Sequence, residues 1–464
     1  MMNLQQLATL VDGELVGDNV SFSKISTDTR ALQSGDLFVA LQGDHFDANS
    51  FASGAADKGA VAALLSADVG LIIPYVRVTD TLQALSILAA EKRDAAAIPL
   101  VAITGSNGKT SVKEMLASIL AQSSKVLATA GNLNNQIGVP LTLLRLTPEH
   151  QYAVIEMGAS QQGDIAHLCR IAKPTLAILN NVAPAHLEGF GDIDGVAKAK
   201  SEIISGLSAK GTAIIHKDEP WFEQWLGLLE GRKLLSFGAS NDADVWAHPG
   251  LITTSLHNGR FVTDFELNFK QQHINIRLNL MGQHNVMNAL AAAAAAIALG
   301  CSLTQIQQGL ASLQAVDGRL QVLTGLAGSL LVNDCYNANP RSFEAAMDSL
   351  AGIDKPLWVV LGDFAELGDE SEQIHRRIGE QLAASRAQRF FAVGEHMKYA
   401  VDAFNKQLCT STRCAQHFLN KQQMAEVLQQ ELVSEVLVLV KGSRSQGLES
   451  VVDKLRDAED SRCC

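Results

Sequence analysis

The chain has 464 residues, which at ordinary domain sizes of about 100 to 200 residues predicts two to four domains, with three expected. Hydrophobic residues make up 47% and charged residues 19%, so the composition excludes a disordered or collagen-like chain. The 37 basic and 49 acidic residues give a formal charge of −12, which excludes general phosphate neutralisation on duplex nucleic acid.

Cysteine usage and apolar runs indicate the compartment. The 7 cysteines are scattered without a C-x-x-C pair, so neither a disulfide framework nor a zinc site is expected. The N-terminus lacks the basic and apolar regions of a secretory signal. The longest apolar run, residues 289–299, is shorter than the ~20 residues of a membrane span and predicts a buried helix. We therefore expect a cytoplasmic protein with no membrane span and no nucleic-acid partner.

Residues 1–97 mix strand-like and helix-like runs, which predicts a small α/β domain. The runs are, in order, a strand at 36–41, an alanine-rich helix at 51–65 and a strand at 72–78. The charged piece at 91–94, leading to Pro99, is expected to mark the domain boundary.

Residues 98–315 alternate buried-looking strands with helical segments, the pattern of a parallel sheet wrapped by helices. The strands are predicted at 100–103, 152–155, 176–179 and 212–215. The pattern restarts in residues 316–464, with strands at 329–332, 357–361, 389–393 and 436–440. The predicted fold class is therefore α/β in three domains: a small N-terminal domain, a central parallel-sheet phosphate-loop domain and a C-terminal Rossmann-like domain.

A glycine-rich loop follows the first strand of the central domain and precedes a helical run at 112–120. The loop consists of Gly105, Ser106, Asn107, Gly108, Lys109, Thr110 and Ser111. Glycines let backbone N–H groups converge on phosphate oxygens, the helix N-terminus adds its positive dipole, and Lys109 adds a charge. The loop predicts a nucleotide triphosphate site, with the hydroxyl of Thr110 or Ser111 as a Mg²⁺ ligand. The alternative is a plain glycine turn with a solvated lysine.

Three further side chains are candidates for the same sheet edge. Glu156 ends a strand, where it could hold a metal or be an ordinary exposed glutamate. His186 lies in the polar turn after the strand at 176–179, although a lone histidine is more often packed or exposed. Lys198 and Lys200 lie two positions apart on a predicted helix, hence on different faces, and by themselves both are expected to be solvated.

Together these residues resemble the motifs of the Mur ligase family, over essentially the whole chain. The matching segments are T-G-x-N-G-K-T at 104–110, E-M-G at 156–158, H-L-E-x-F-G at 186–191, A-K-x-E-I at 199–203 and G-x-H-N-x-x-N at 282–288. The family's strand-end N-x-D motif reads His216-Lys217-Asp218 here.

The C-terminal third resembles one member of that family. Residues 334–342 are similar to the D-x-Y-N-A-N-P-x-S signature of the D-alanyl-D-alanine-adding ligase, and residues 361–368 and 440–444 support the same member. The D-N-P-R signature of ligases that add the third stem-peptide residue is absent. The resemblance implies an ATP-dependent ligase of peptidoglycan precursor synthesis, which joins D-alanyl-D-alanine to UDP-N-acetylmuramoyl tripeptide through an acyl phosphate.

The resemblance also implies residue roles. Lys109 would contact the β- and γ-phosphates, Thr110 the first Mg²⁺, and Glu156 and His186 would bind metal. Lys200 would react with CO₂ to a carbamate that bridges toward a second Mg²⁺, which completes a catalytic set of Lys109, Lys200 and His186. The nucleotide would be held by Asn285, Asn288, Arg319 and Asp334, and the substrates by Thr27, Asp28, Thr29, Arg30, Asn337 and Asn339.

The resemblance assigns the UDP-sugar peptide to the first domain, ATP to the second, and the amino substrate to the third, which would close over ATP as a hinged unit. A monomer is expected. Two alternatives stay open: another amide ligase of this architecture, such as a folylpolyglutamate synthetase, and a phosphate-loop ATPase without a covalent product.

Overall fold

A computed structural model describes residues 2–43, 46–184, 187–257, 260–313, 317–410 and 413–457. The described helices and strands are grouped around three main sheets, one after another along the chain. This arrangement confirms the predicted three-domain α/β class.

The first domain contains a five-stranded sheet with strand order β2-β9-β8-β5-β4, parallel except for the β2–β9 pair. Its elements are β1 (Met2–Asn3), α1 (Leu4–Val11), β2 (Glu14–Val16), β3 (Ser21–Phe22), β4 (Ile25–Ser26), β5 (Asp36–Val39), β6 (Gln42–Gly43), β7 (Phe46–Asp47), α2 (Ala52–Asp57), β8 (Ala60–Leu65), β9 (Tyr75–Arg77) and α3 (Thr81–Ala96).

The helix predicted at 51–65 is wrong in its second half. α2 ends at Asp57, Gly59 has φ +100°, and the following residues form β8, which lies in the middle of the sheet. Alanine favours helix when the backbone decides, but these alanines are buried between two neighbouring strands. Tertiary burial therefore overrides their helix propensity.

The charged piece at 91–94 is the end of α3 rather than a linker. Arg93 is only 5% exposed, and its Nε donates a hydrogen bond of 2.9 Å to the carbonyl oxygen of Ala172. α3 therefore packs on the second domain, and only the three residues 97–99 separate it from the next strand.

The second domain is built on a ten-stranded sheet with the order β11-β12-β10-β13-β14-β15-β16-β18-β17 and β19 paired to β18. Its elements are β10 (Leu100–Thr104), α4 (Lys109–Leu120), β11 (Val126–Ala128), α5 (Gly138–Leu144), β12 (Tyr152–Glu156), α6 (Asp164–Ala172), β13 (Leu176–Leu179), α7 (Leu187–Phe190), α8 (Ile193–Ser205), β14 (Thr212–His216), α9 (Phe222–Leu226), β15 (Lys233–Gly238), β16 (Val245–Trp246), β17 (Thr253–His257), β18 (Arg260–Phe269), β19 (Gln272–Leu278), α10 (Gln283–Ala298) and α11 (Leu303–Ala311). The sheet is parallel from β11 to β16, as predicted, and continues as an antiparallel part, β16 to β19, that was not predicted.

Helices cover both faces of this sheet because its central strands are apolar on both sides. Val101 and Ile103 of β10 belong to a core shared with α4, α10 and α11, whereas Leu100 and Ala102 belong to a core shared with α5, α6 and α8. The alanine run is the buried helix α10, as predicted. Within the described part of the chain, no helix is both long and apolar enough to cross a bilayer.

The third domain is a six-stranded sheet of order β20-β21-β25-β22-β23-β24, parallel except for β20. Its elements are β20 (Gln321–Thr324), β21 (Leu330–Asp334), α12 (Pro340–Leu350), β22 (Leu357–Gly362), α13 (Ser371–Ala384), β23 (Ala387–Val393), α14 (Met397–Gln407), β24 (Cys414–Phe418), α15 (Lys421–Glu431), β25 (Leu437–Lys441) and α16 (Glu449–Leu455). The four strands predicted here are confirmed within two residues at each end.

The second and third domains share an apolar seam. Phe261 of β18 and Met281, just before α10, belong to the same buried cluster as Phe343 and Ala346 of α12. This seam places α12 beside the N-terminus of α10, at the edge of the central sheet.

Close helix packing supports the phosphate-loop helix and gives a stability prediction. A Cβ at Gly309 in α11 would lie 2.4 Å from Cα of Ile119 in α4, whereas at Gly54 in α2 it would meet nothing within 4 Å. Gly309→Ala should therefore destabilise the protein by about 1–3 kcal/mol through overpacking, measured by thermal denaturation. Gly54→Ala is the control and should be neutral or slightly stabilising. Equal stability of the two variants would contradict this packing.

Candidate active site

The predicted phosphate loop connects the carboxyl end of β10 to the N-terminus of α4. Gly108 has φ +78°, and a Cβ there would lie 2.3 Å from Oδ1 of Asn288 and 2.8 Å from Nδ2 of Asn180. Only glycine fits this combination of backbone angle and close approach. The loop main chain is thus pressed between the end of β13 and the first turns of α10.

Two asparagines after β13 hold the loop in shape. The main-chain N–H of Ser106 donates to the carbonyl of Asn181 (3.0 Å), and that of Asn107 donates to the Asn181 side chain (2.8 Å). Asn180 Nδ2 donates to the carbonyl of Asn107 (3.0 Å) and to Oδ1 of Asn288 (2.9 Å). Sequence reasoning missed both residues; their only signal was a polar turn at the end of a predicted strand.

Lys109 is folded back over the loop. Its Nζ donates to the carbonyl of Gly105 at 2.8 Å and lies 3.4 Å from that of Ser106. Burial lowers the pKa of Lys109, the charge of Glu156 acts in the opposite direction, and Arg319 adds to the lowering. A bound phosphate could therefore replace these two carbonyl oxygens as the partner of the Lys109 ammonium group. The hydrogen bonds would then join two charged groups.

Glu156 is buried rather than exposed, so the exposed-glutamate alternative is wrong. One carboxylate oxygen accepts from the hydroxyl of Thr110 (2.8 Å) and the other from Nδ2 of Asn134 (2.7 Å). Its own N–H donates to the hydroxyl of Thr129 (3.0 Å). Arg319 donates to the same Thr110 hydroxyl at 2.8 Å, and thereby brings a third-domain cation to the loop.

Lys200 on α8 corrects the expectation of a solvated lysine. It is 2% exposed and lines the cavity, whereas Lys198 is exposed, as their different helix faces require. Among the described residues, no acidic side chain forms an ion pair with it. Burial and then the charge of Lys109 lower the pKa of Lys200 to about 7. The Phe190 ring centroid lies 5.9 Å from Nζ.

The N-terminal turn of α10 lies beside the loop. Asn288 donates to Oδ1 of Asn285 (3.2 Å), and Asn285 donates to the carbonyl of Met281 (2.9 Å) and to Nε2 of His284 (3.1 Å). Burial, reinforced by Lys441, lowers the pKa of His284 to about 4. The predicted residues Asn285 and Asn288 are therefore both buried. Asn288 contacts the phosphate loop at Gly108, and Asn285 contacts the neutral side chain of His284.

The third domain supplies the opposite wall. Asp334, at the end of β21, pairs with Lys441 at 2.6 Å; burial raises the pKa of Asp334, and Lys441 opposes this. Arg319 stacks over the ring of Tyr336 at 4.3 Å. The N-cap of α12, Asn339, donates to Oδ1 of Asn107 in the phosphate loop at 2.7 Å.

One cavity of about 1250 Å³ lies between the two walls. Its lining, within the described residues, comes only from the second and third domains. The predicted residues that line it are Ser106, Asn107, Gly108, Lys109, Thr110, Ser111, Glu156, Lys200, Asn285, Asn288, Arg319, Asp334, Asn337 and Asn339. Gly105, the first residue of the loop, is not part of the cavity lining. His186 is outside the described residues, so the structure says nothing of its predicted role.

The predicted uridine-side residues, 27–30, do not line this cavity. They lie on a turn of the first domain in which residues 27–29 are half-buried and Arg30 is exposed and pairs with Asp28 at 2.8 Å. That hydrogen bond lowers the pKa of Asp28 to about 2.

A phosphate loop at a strand end, a buried strand-end carboxylate and cations contributed by two domains define an α/β nucleotide-binding enzyme that encloses its reaction between domains. The family models are specific: residues 103–296 match the Mur ligase middle domain, and residues 318–444 match the Mur ligase glutamate ligase domain. The chain is 42% identical to the UDP-N-acetylmuramoyl-tripeptide–D-alanyl-D-alanine ligase of Escherichia coli, over 98% of each chain.

Solved structures agree with these matches. MurF from Acinetobacter baumannii superposes with a TM-score of 0.87 at 34% identity, covering 97% of this chain and 98% of that one. MurF from Thermotoga maritima in complex with ADP gives a TM-score of 0.80 at 28% identity, covering 93% and 96%. The chain therefore belongs to the Mur ligase family, which confirms the predicted family, and it is an ATP-dependent ligase.

The asparagine contacts to the loop lead to a binding prediction. Asn180→Ala removes two hydrogen bonds and leaves the carbonyl of Asn107 without that donor, so the dissociation constant for an ATP analogue should rise about tenfold, measured by calorimetry. Asn241→Ala, at an exposed position, is the control. Unchanged affinity in a folded Asn180→Ala variant would contradict the role given to Asn180.

Proposed function

We propose that this protein joins the amine of D-alanyl-D-alanine to the terminal carboxylate of UDP-N-acetylmuramoyl tripeptide and converts ATP to ADP and phosphate. The observation that carries the proposal is that the phosphate loop and the segment 334–342 face each other across one cavity and are joined by the Asn339–Asn107 hydrogen bond. The UDP-N-acetylmuramoyl-tripeptide–D-alanyl-D-alanine ligases of Escherichia coli and Haemophilus influenzae are similar to 98% and 97% of this chain. The phosphate loop and the segment that resembles the signature of this particular ligase thus lie at one site.

The reaction follows from the weakness of a carboxylate as an electrophile. The carboxylate oxygen attacks the γ-phosphorus, ADP leaves, and the resulting acyl phosphate carries a good leaving group. The dipeptide amine then attacks the acyl carbon, inorganic phosphate leaves with the former carboxylate oxygen, and the amine loses a proton. Lys109, on the phosphate loop, and Arg319, which donates to Thr110, would supply positive charge to the transferring phosphoryl group.

The residues at the loop fit a magnesium ion. The hydroxyl of Thr110 and the carboxylate of Glu156 are hard oxygen donors 2.8 Å apart, both on the cavity wall beside the phosphate loop. When bound, Mg²⁺ neutralises phosphate charge and favours in-line transfer. We propose that Thr110 and Glu156 would hold it on the protein side.

We also propose that Lys200 acts as a carbamate. A carbamate forms from the neutral amine, and a buried lysine without a carboxylate partner among the described residues favours that form. Carbamylation turns the cation into an anionic oxygen ligand on the same cavity wall as Glu156.

The domain roles are part of the proposal. Residues 1–97 would bind the uridine nucleotide through Thr27, Asp28, Thr29 and Arg30, residues 98–315 would bind ATP, and residues 316–464 would bind the dipeptide through Asn337 and Asn339. We also propose that the protein is a cytoplasmic monomer; a nucleotide-linked precursor and the free thiols of the cysteines in the described part of the chain support the compartment.

The proposed reaction predicts strict substrate dependence. Incubation with ATP, magnesium, UDP-N-acetylmuramoyl tripeptide and D-alanyl-D-alanine should give a product whose mass equals the sum of both substrates less one water, with one ADP per product. Omission of either UDP-N-acetylmuramoyl tripeptide or D-alanyl-D-alanine should abolish product formation. ADP released at the full rate without the dipeptide, and with no amide formed, would instead indicate a simple ATPase.

The two buried lysines give separate predictions. Lys109→Ala should lower ADP release at least a hundredfold, because it removes charge from the transferring phosphoryl group. Lys200→Ala should be similarly inactive, but short carboxylic acids should restore part of its activity, whereas they should not restore Lys109→Ala. Lys198→Ala, on the exposed face of the same helix, is the control. Full activity of Lys200→Ala without additive would remove the carbamate proposal.

A further inference from the structure

Glu219 is a buried carboxylate at the edge of the site that the proposed reaction does not use. It lies in the turn after β14, and its side chain is 2% exposed. One oxygen accepts from the main-chain N–H of Val182 at 3.3 Å. The other lies 3.3 Å from Nη2 of Arg341 and 3.7 Å from Nδ1 of His216. Arg341 belongs to the first turn of α12, so this ion pair crosses from the second domain to the third.

The two partners hold the main chain of the same residue, one at its N–H and the other at its carbonyl. Glu219 accepts the N–H of Val182, and Nη1 of Arg341 donates to the carbonyl of Val182. Val182 itself is buried. With its donor and acceptor both paired, this residue has its main chain set by one residue from each domain.

Val182 lies inside the segment that holds the phosphate loop. On one side of it, the carbonyl of Asn181 accepts from the N–H of Ser106 at 3.0 Å. On the other side, Ala183 exchanges two hydrogen bonds with the hydroxyl of Ser106, at 2.9 and 3.0 Å. A shift of Val182 therefore shifts the contacts of Ser106 on both sides.

The two charges differ in access to water. The Arg341 side chain is 50% exposed, whereas that of Glu219 is 2% exposed. If α12 moves away, the guanidinium regains hydration, but the carboxylate loses the cation beside which it is buried here, and breaking a buried pair is costly. The preferred position of α12 is thus the one in which Arg341 reaches Glu219.

We propose that Glu219 and Arg341 are positioning residues that couple the docking of the third domain to the shape of the phosphate loop. Tight nucleotide binding then requires the first turn of α12 to be seated on the turn after β14. Asn339, the N-cap of α12, lies two positions before Arg341. Its hydrogen bond to Asn107 is a second contact that forms when α12 is in this position. The proposal rests on the proposed function only in that the loop binds ATP.

A double-mutant cycle tests the coupling without any turnover. Glu219→Gln, Arg341→Met and the double variant are compared with the parent protein for their dissociation constants with magnesium and a non-hydrolysable ATP analogue, by calorimetry. Arg341→Met should weaken binding about tenfold in the parent, and less than threefold in the Glu219→Gln background, because no carboxylate is then left unpaired. Glu223→Gln and Arg377→Met, both at exposed positions, should leave binding unchanged.

If Glu219 and Arg341 contributed only to the stability of the fold, the variants would differ in thermal midpoint rather than in nucleotide affinity. In that case thermal midpoints would fall while the dissociation constants stayed equal or the two effects added, and either result would overturn the proposal. Arg341→Lys keeps a charge but not the paired contacts, so its affinity should lie between parent and Arg341→Met; a value equal to the parent would also contradict the proposal. A parent protein that binds the analogue but forms no amide would refute the proposed function alone.

Discussion

Holding the main chain of residues 106–108 in one shape is the constraint on which the rest of the site depends. Some N–H groups of such a loop must stay free for phosphate, while its other N–H groups and its carbonyls need partners in the protein. Asn180 and Asn181 at the end of β13 supply those partners, and Asn288 in the first turns of α10 accepts a hydrogen bond from Asn180. Because the partners lie on strands and helices of the central core, the loop is positioned before a nucleotide arrives.

Burial sets the electrostatics around this loop. Lys109, Glu156, Lys200 and Asp334 all lie on one cavity wall or the other, where charges interact more strongly than in water. The cost of burying them is offset by pairing: Glu156 with two donors, and Asp334 with Lys441. Lys109 donates to main-chain carbonyls, whereas Lys200 has no acidic partner among the described residues, and burial lowers the pKa of Lys200 to about 7.

The sequence was sufficient for the central parallel strands of the second and third domains, for the phosphate loop and for the family, because these depend on local pattern. Alternation of apolar runs and helices predicted both doubly wound sheets, and glycine spacing predicted the loop. Prediction from the sequence failed where residues far apart in the chain determine the local structure. β8 is a strand because β5 and β9 bury its alanines. Lys200 is buried because α8 packs with that face inward. The Arg319–Thr110 contact, 209 positions apart, has no local signal at all.

The account's central claim is that the triphosphate at this loop activates a carboxylate, and oxygen transfer tests it most directly. UDP-N-acetylmuramoyl tripeptide labelled with ¹⁸O in its terminal carboxylate is incubated with ATP and D-alanyl-D-alanine, and the released phosphate is analysed by mass spectrometry. One ¹⁸O atom in each phosphate is the predicted result, because the attacking oxygen stays on phosphorus when the amine displaces it. Phosphate whose new oxygen comes from water would contradict the claim.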